Sequence, residues 1–79
     1  MKAKIRITLK KGVLDPQGKA IEGALGSLGF TGVENLRQGK YSELEMTETD
    51  AEKARSQIKS MCEKLLANTI IENYDIELA

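Results

Sequence analysis

Residues 12 to 19 read G-V-L-D-P-Q-G-K, directly after the strand-like K-I-R-I-T-L-K-K. A phosphate-binding loop belongs in that position, since G-x-x-x-x-G-K-[ST] leaves a strand, opens a helix and cradles phosphate with backbone N–H groups. The parts that do the chemistry are missing. Five residues rather than four separate Gly12 from Gly18, and Ala20 stands where the magnesium-binding hydroxyl belongs. Pro16 also deletes one of the N–H donors. The stretch reads instead as a strand exit followed by a capped helix start.

Other chemical residues are sparse. There is no histidine, which removes His-based triads, His metal sites and the usual near-neutral proton shuttle. Cys62, the one cysteine, sits among Ile58, Met61 and Leu65 on an apolar helical face and has no base to activate it. The acidic run T-E-T-D-A-E is ordinary cap and dipole chemistry for a first helical turn. Glu43 and Glu45 share a strand face and read as a solvated or salt-bridged pair. R-x-G-K at Arg37 to Lys40 is the exception, because two cations flanking a glycine at a turn can hold an anion or an acidic partner surface.

The elements that position these residues follow from periodicity. Ala3, Ile5, Ile7 and Leu9 alternate with Lys2, Lys4, Arg6, Thr8 and Lys10, giving a strand with one buried face. Asp15 caps and Pro16 opens a helix whose apolar positions are Ile21, Leu25 and Leu28, and Gly29 stops it. Gly18, Gly23 and Gly26 burden this helix by about 1 kcal/mol each, which points to close packing on a sheet or close approach of another subunit. Val33 to Gln38 reads as a second strand, with a turn around Gly39. Ser42, Leu44 and Met46 form the inner face of a third. Ala51, Ala54, Ile58, Met61 and Leu65 step along one face of a second helix that Asn68 ends. Tyr74, Ile76 and Leu78 line a last strand.

The order β-α-β-β-α-β predicts an α+β, two-layer, ferredoxin-like fold over residues 1–79, with two helices on one face of a four-stranded sheet. Charge predicts the strand order. Lys4, Arg6 and Lys10 point outward from the first strand, Glu43 and Glu45 from the third, Asp75 and Glu77 from the last. Placing the first strand between the other two sets opposite charges side by side, which is the order 4-1-3-2.

Composition narrows the function further. The 79 residues make a single domain that buries only about 60% of its unfolded surface, so self-association is expected, with a sheet extended or exchanged in a dimer. Twelve basic and twelve acidic residues cancel, and three aromatics form no stacking platform, which argues against nucleic acid as a partner. No apolar run approaches membrane-spanning length and no signal peptide opens the chain, so a cytoplasmic setting is expected.

Taken in order, G-V-L-D-P-Q-G-K-A-I, A-L-x-x-L-G-F-x-x-V (24–33), R-x-G-K (37–40), C-E-K-L-L-A-N (62–68) and I-E-N-Y-x-I-E-L (71–78) resemble PurS, the small-subunit family of phosphoribosylformylglycinamidine synthase. The resemblance spans nearly the whole chain. It implies a non-catalytic subunit in purine biosynthesis, dimeric, bridging a glutaminase subunit and a large synthetase subunit. It also implies that ATP and magnesium bind to the large subunit, with no cofactor or metal in this chain. Two polar turns are the expected partner contacts: Asp15, Pro16, Gln17 and Gly18 in one, Arg37, Gly39, Lys40 and Tyr41 in the other. The alternatives on the same plan are a small-molecule-sensing ferredoxin-like module and an acylphosphatase. The second lacks the arginine-bearing phosphate loop between the first strand and first helix.

Overall fold

The computed structural model describes residues 1–79. Strand β1 (Lys2–Leu9) is followed by helix α1 (Pro16–Ser27), strand β2 (Gly39–Glu45), helix α2 (Ala51–Met61) with a π-helical turn at Cys62–Leu66, and strand β3 (Glu72–Leu78). The sheet has three strands in the order β2-β1-β3, antiparallel throughout.

The central place of β1 is the one its charges require. Lys2 lies 3.4 Å from Glu43, Lys4 lies 3.9 Å from Glu77, and Arg6 reaches Asp75 at 3.8 Å and Glu77 at 3.7 Å. All are substantially exposed, so each contributes a few tenths of a kcal/mol and mainly disfavours other strand orders.

The opposite face carries the core. Ala3, Ile5 and Ile7 are buried under Ile58, Cys62 and Ala67, with Leu44, Met46, Tyr74, Ile76 and Leu78 packed half-buried around them. On α2 the buried line is Ala54, Ile58 and Cys62, an i, i+4, i+8 stripe. Asp50 caps that helix, accepting from Glu52 N at 2.9 Å. Met61 and Leu65, expected on the buried stripe, are instead exposed, Leu65 by 84%. For Leu65 the π turn explains this: Ala67 N donates to Cys62 O, five residues back, at 2.9 Å, which tucks Ala67 beneath the sheet and leaves Leu65 outside.

Three further expectations need correction. Val33 to Gln38 is not a strand, so the sheet has three strands rather than four. Asn35 adopts φ 56°, which breaks extended backbone. The Leu36 and Gln38 N–H groups, which a strand would give to a neighbour, go to the carboxylates of Glu22 (3.4 Å) and Asp15 (2.7 Å). Gly39 is not a hairpin tip but the first residue of β2, where a β-carbon would strike the Ile7 carbonyl oxygen.

Nor do the two helices share one sheet face. Helix α1 stands away as an arm whose only buried residue is Gly18. The chain is therefore long, 48 × 24 × 15 Å, with a radius of gyration of 15.9 Å, against about 12 Å for a compact domain of this length. The arm is nonetheless well made. Asp15 accepts from Gly18 N at 2.8 Å at its start. At its end Gly29 (φ 95°) donates to Gly26 O and Phe30 N donates to Leu25 O, the paired bonds of a Schellman stop.

Candidate functional site: the root of the arm

Both turns singled out in the sequence meet where α1 leaves the sheet. Asp15 is 5% exposed, and its two carboxylate oxygens accept from Gly18 N and Gln38 N. The Gln38 N–H, then the Gly18 N–H, hold its carboxyl below the ordinary value against the opposing effect of burial. Gly18 is required here: a β-carbon on it would sit 2.5 Å from the Leu36 carbonyl oxygen. Close approach of the chain's own segment, not of a sheet, accounts for that glycine. Around Gly23 and Gly26 the space is open, and a β-carbon on either would meet nothing within 4 Å.

Arg37 crosses to the other side of the root. Its Nη2 donates to Lys10 O at 3.2 Å and to Val13 O at 2.8 Å, tying the β1 exit to the segment before β2. Lys40 reaches Glu72 Oε1 at 3.3 Å and Leu66 O at 3.4 Å. Glu72 in turn accepts from Asn68 N at 2.7 Å, and that bond, before the Lys40 contacts, holds its carboxyl below the ordinary range. Tyr41 lies on the outer sheet face, its hydroxyl donating to Glu43 at 2.7 Å and its ring under Arg6 at 5.9 Å. The Glu43 bond pushes the phenol up, so it is no acid at neutral pH. Pro16 and Gln17 are exposed.

The structure thus gathers Asp15, Gly18, Arg37 and Gly39 into one hinge, sets Lys40 beside it and leaves Tyr41 on the open sheet face. Sequence reasoning missed Lys11 and Asn35, and set Gly12 aside with the phosphate-loop pattern. Lys11, Gly12 and Asn35, with Leu9 and Arg37, line a groove of about 510 Å³ on one side of the root. The positive φ at Gly12 and Asn35 shapes it, a conformation that glycine and asparagine adopt most readily. No group of three or more His, Cys, Asp or Glu is placed to hold a metal ion. Burial pushes the Cys62 thiol up, away from the reactive thiolate.

Contact is what the rest of the surface offers. Leu14 is 72% exposed, Leu28 73% and Phe30 59%, alongside half-buried Ile21 and Leu25 on the arm. The sheet edges differ. Met46 N donates to Met1 O and the Met1 amine to Met46 O, so the antiparallel alternation turns the N–H and C=O groups of Gly39, Tyr41, Glu43 and Glu45 outward, unpaired. On β3 the outward Ile76 carbonyl is covered by Arg55 Nη1 at 3.3 Å.

These features define a small two-layer α+β domain whose exposed chemistry is that of association. The family model PurS, described as phosphoribosylformylglycinamidine (FGAM) synthase, matches residues 2–79. The chain belongs to the PurS family. The phosphoribosylformylglycinamidine synthase subunit PurS of Bacillus subtilis is 47% identical over 77 residues, covering 98% of this chain and 90% of that one. Its counterpart in Methanocaldococcus jannaschii is 42% identical over 77 residues, covering 98% and 93%. Among solved structures, a C2 crystal form of Bacillus subtilis PurS is similar with a TM-score of 0.85, covering 96% of this chain and 94% of that one. A chain of PurLQS from Thermotoga maritima is similar with a TM-score of 0.88 at 36% identity, covering 96% and 93%.

Proposed function

We propose that this chain is a non-catalytic subunit of phosphoribosylformylglycinamidine synthase that bridges a glutaminase chain and an ATP-using synthetase chain. The glutaminase releases ammonia from glutamine. The synthetase, holding ATP and magnesium, activates the amide oxygen of formylglycinamide ribonucleotide, and ammonia displaces it to give the amidine. The observation that carries this reading is the family match across residues 2–79, reinforced by likeness to a chain of PurLQS from Thermotoga maritima. A cytoplasmic setting follows from that pathway, and no helix is long and apolar enough to cross a membrane.

The bridging form is a dimer. The second copy supplies what one chain lacks: cover for Ile21, Leu25, Leu28 and Phe30 on the arm, and a strand along the open β2 edge, so that each sheet gains its fourth strand by extension or exchange. Leaving several large apolar side chains wet on a 79-residue chain with so small a core makes a stable monomer unfavourable. Of the partner-contact residues, Pro16, Gln17, Arg37, Lys40 and Tyr41 are exposed and available to the other subunits, whereas buried Asp15 and Gly18, with Gly39, shape the hinge that presents them. The ligand-sensing alternative has no support from the relatives, which are FGAM synthase subunits.

Mixing this chain with its cognate glutaminase and synthetase chains and separating the mixture by size tests the reading. A ternary complex that forms only when this chain is present is the expected result; a binary glutaminase–synthetase complex of equal stability without it overturns the bridge.

A further inference from the structure

Five of the twelve cations of this chain are already matched. Lys2, Lys4, Arg6, Lys19 and Lys40 each face a carboxylate within 4 Å. Lys11 and Arg37 do not, and they line the same 510 Å³ groove with Leu9, Gly12 and Asn35, none of which is acidic. Asp15, the carboxylate whose charge Arg37 feels, has both oxygens committed to backbone N–H groups. The lining of the groove therefore carries two positive charges and no negative one, with the single charge of Asp15 outside that lining and held by its own backbone N–H partners, on a chain of zero formal net charge.

Its geometry selects among anions. Arg37 is fixed by the two carbonyls that Nη2 serves, so it is held ready at little ordering cost. With both Nη2 hydrogens spent, neither edge of the guanidinium presents the parallel pair of N–H groups that a phosphate or a forked carboxylate contact uses. What remains are single donors at Nε and Nη1, with the mobile Lys11 ammonium and the apolar side of Leu9. That set suits a side-chain carboxylate on an extended, partly apolar segment.

We propose that the groove between Lys11 and Arg37 receives a carboxylate-bearing segment of another subunit of the synthase. The proposal rests on the bridging reading and names the chemistry of one of its contacts. The groove lies at the root of the arm, so a segment seated there also touches the hinge that sets the direction of α1.

The test titrates the full-length chain separately against the cognate glutaminase and synthetase chains at low and physiological salt, comparing Lys11→Glu with Lys53→Glu. The two variants change net charge equally, and neither lysine side chain makes an ion pair or hydrogen bond in the structure. Lys11→Glu is expected to weaken binding to one partner by about tenfold at low salt and to flatten its salt dependence, while Lys53→Glu stays within about twofold of the unmodified chain. Equal affinities of the two variants, with the unmodified chain binding normally, overturn the groove alone. Failure of the unmodified chain to bind either partner overturns the bridging reading and the groove with it. Loss of the dimer on Lys11→Glu, or saturable binding of millimolar inorganic phosphate that shifts the Lys11, Gly12 and Asn35 amides, overturns it in favour of a self-contact or a small-anion site.

Discussion

Asp15 and Gln38 are 23 residues apart in sequence, yet the Asp15 carboxylate accepts the Gln38 N–H at 2.7 Å while also capping α1 at Gly18. One buried side chain thus fastens the arm's first turn to the residue that precedes β2. Asp15→Asn keeps one acceptor oxygen but offers an NH₂ where the second stood, so one backbone N–H loses its partner. The melting temperature is expected to fall by about 5 °C at neutral pH, a capping-scale loss in a domain this small. An unchanged melt would show that the hinge does not depend on this carboxylate.

The same bond contributes to the pH response. The folded Asp15 and Glu72 carboxyls titrate below their ordinary values, mainly through the Gln38 and Asn68 N–H groups respectively. Their stabilisation is therefore complete above the unfolded value of about 4 and is lost as pH falls through the lower folded values. Thermal melts between pH 7 and pH 3 should show stability declining on the acid side, and the decline should be shallower in Asp15→Asn. Identical acid limbs would contradict the assignment.

Glycines of α1 divide by position. At Gly18 a β-carbon meets the Leu36 carbonyl, so Gly18→Ala should destabilise by about 1–3 kcal/mol. Gly23 lies on the side of the helix opposite Ile21, Leu25 and Leu28, counting about 100° per residue, with open space around it. Gly23→Ala should therefore stabilise by up to about 1 kcal/mol and leave the dimer intact. Denaturant unfolding with sedimentation checks both, and a Gly23→Ala chain that fails to dimerise would place a partner against that face instead.

Leu28, 73% exposed, contributes little to a lone chain but lies on the proposed dimer face. Leu28→Glu should convert the dimer to monomer at micromolar concentration while β-sheet signals persist. By contrast Ile58→Ala, which empties a fully buried site beneath Ile5 and Ile7, should cost about 2–5 kcal/mol whatever the oligomeric state. Sedimentation equilibrium and circular dichroism separate the two effects.

Much of this architecture was legible in the sequence. The alternation of Ala3, Ile5 and Ile7 gave β1, and the charges of Arg6, Glu43 and Asp75 gave its central place, because both signals are local or pairwise across neighbouring strands. The position of α1 was not legible. Its apolar stripe at Ile21, Leu25 and Leu28 is the pattern of any helix seeking cover, and the pattern does not say whether that cover belongs to the same chain. The strand expected at Val33 to Gln38 failed because Glu22 and Asp15 take its N–H groups across 14 and 23 residues. At the site, the R-x-G-K motif was visible, but not that Arg37 serves the Lys10 and Val13 carbonyls or that Lys40 is matched to Glu72. Those partners are set by how β1 exits the sheet, which no local window contains.

The bridging claim meets its most direct test in a coupled assay. Formation of formylglycinamidine ribonucleotide is measured with the cognate glutaminase and synthetase chains, with and without this chain, using either glutamine or free ammonia as the nitrogen source. Synthesis from glutamine is expected to require this chain, while synthesis from saturating ammonia by the synthetase depends on it far less. Glutamine-dependent synthesis at the same rate without this chain would contradict the account.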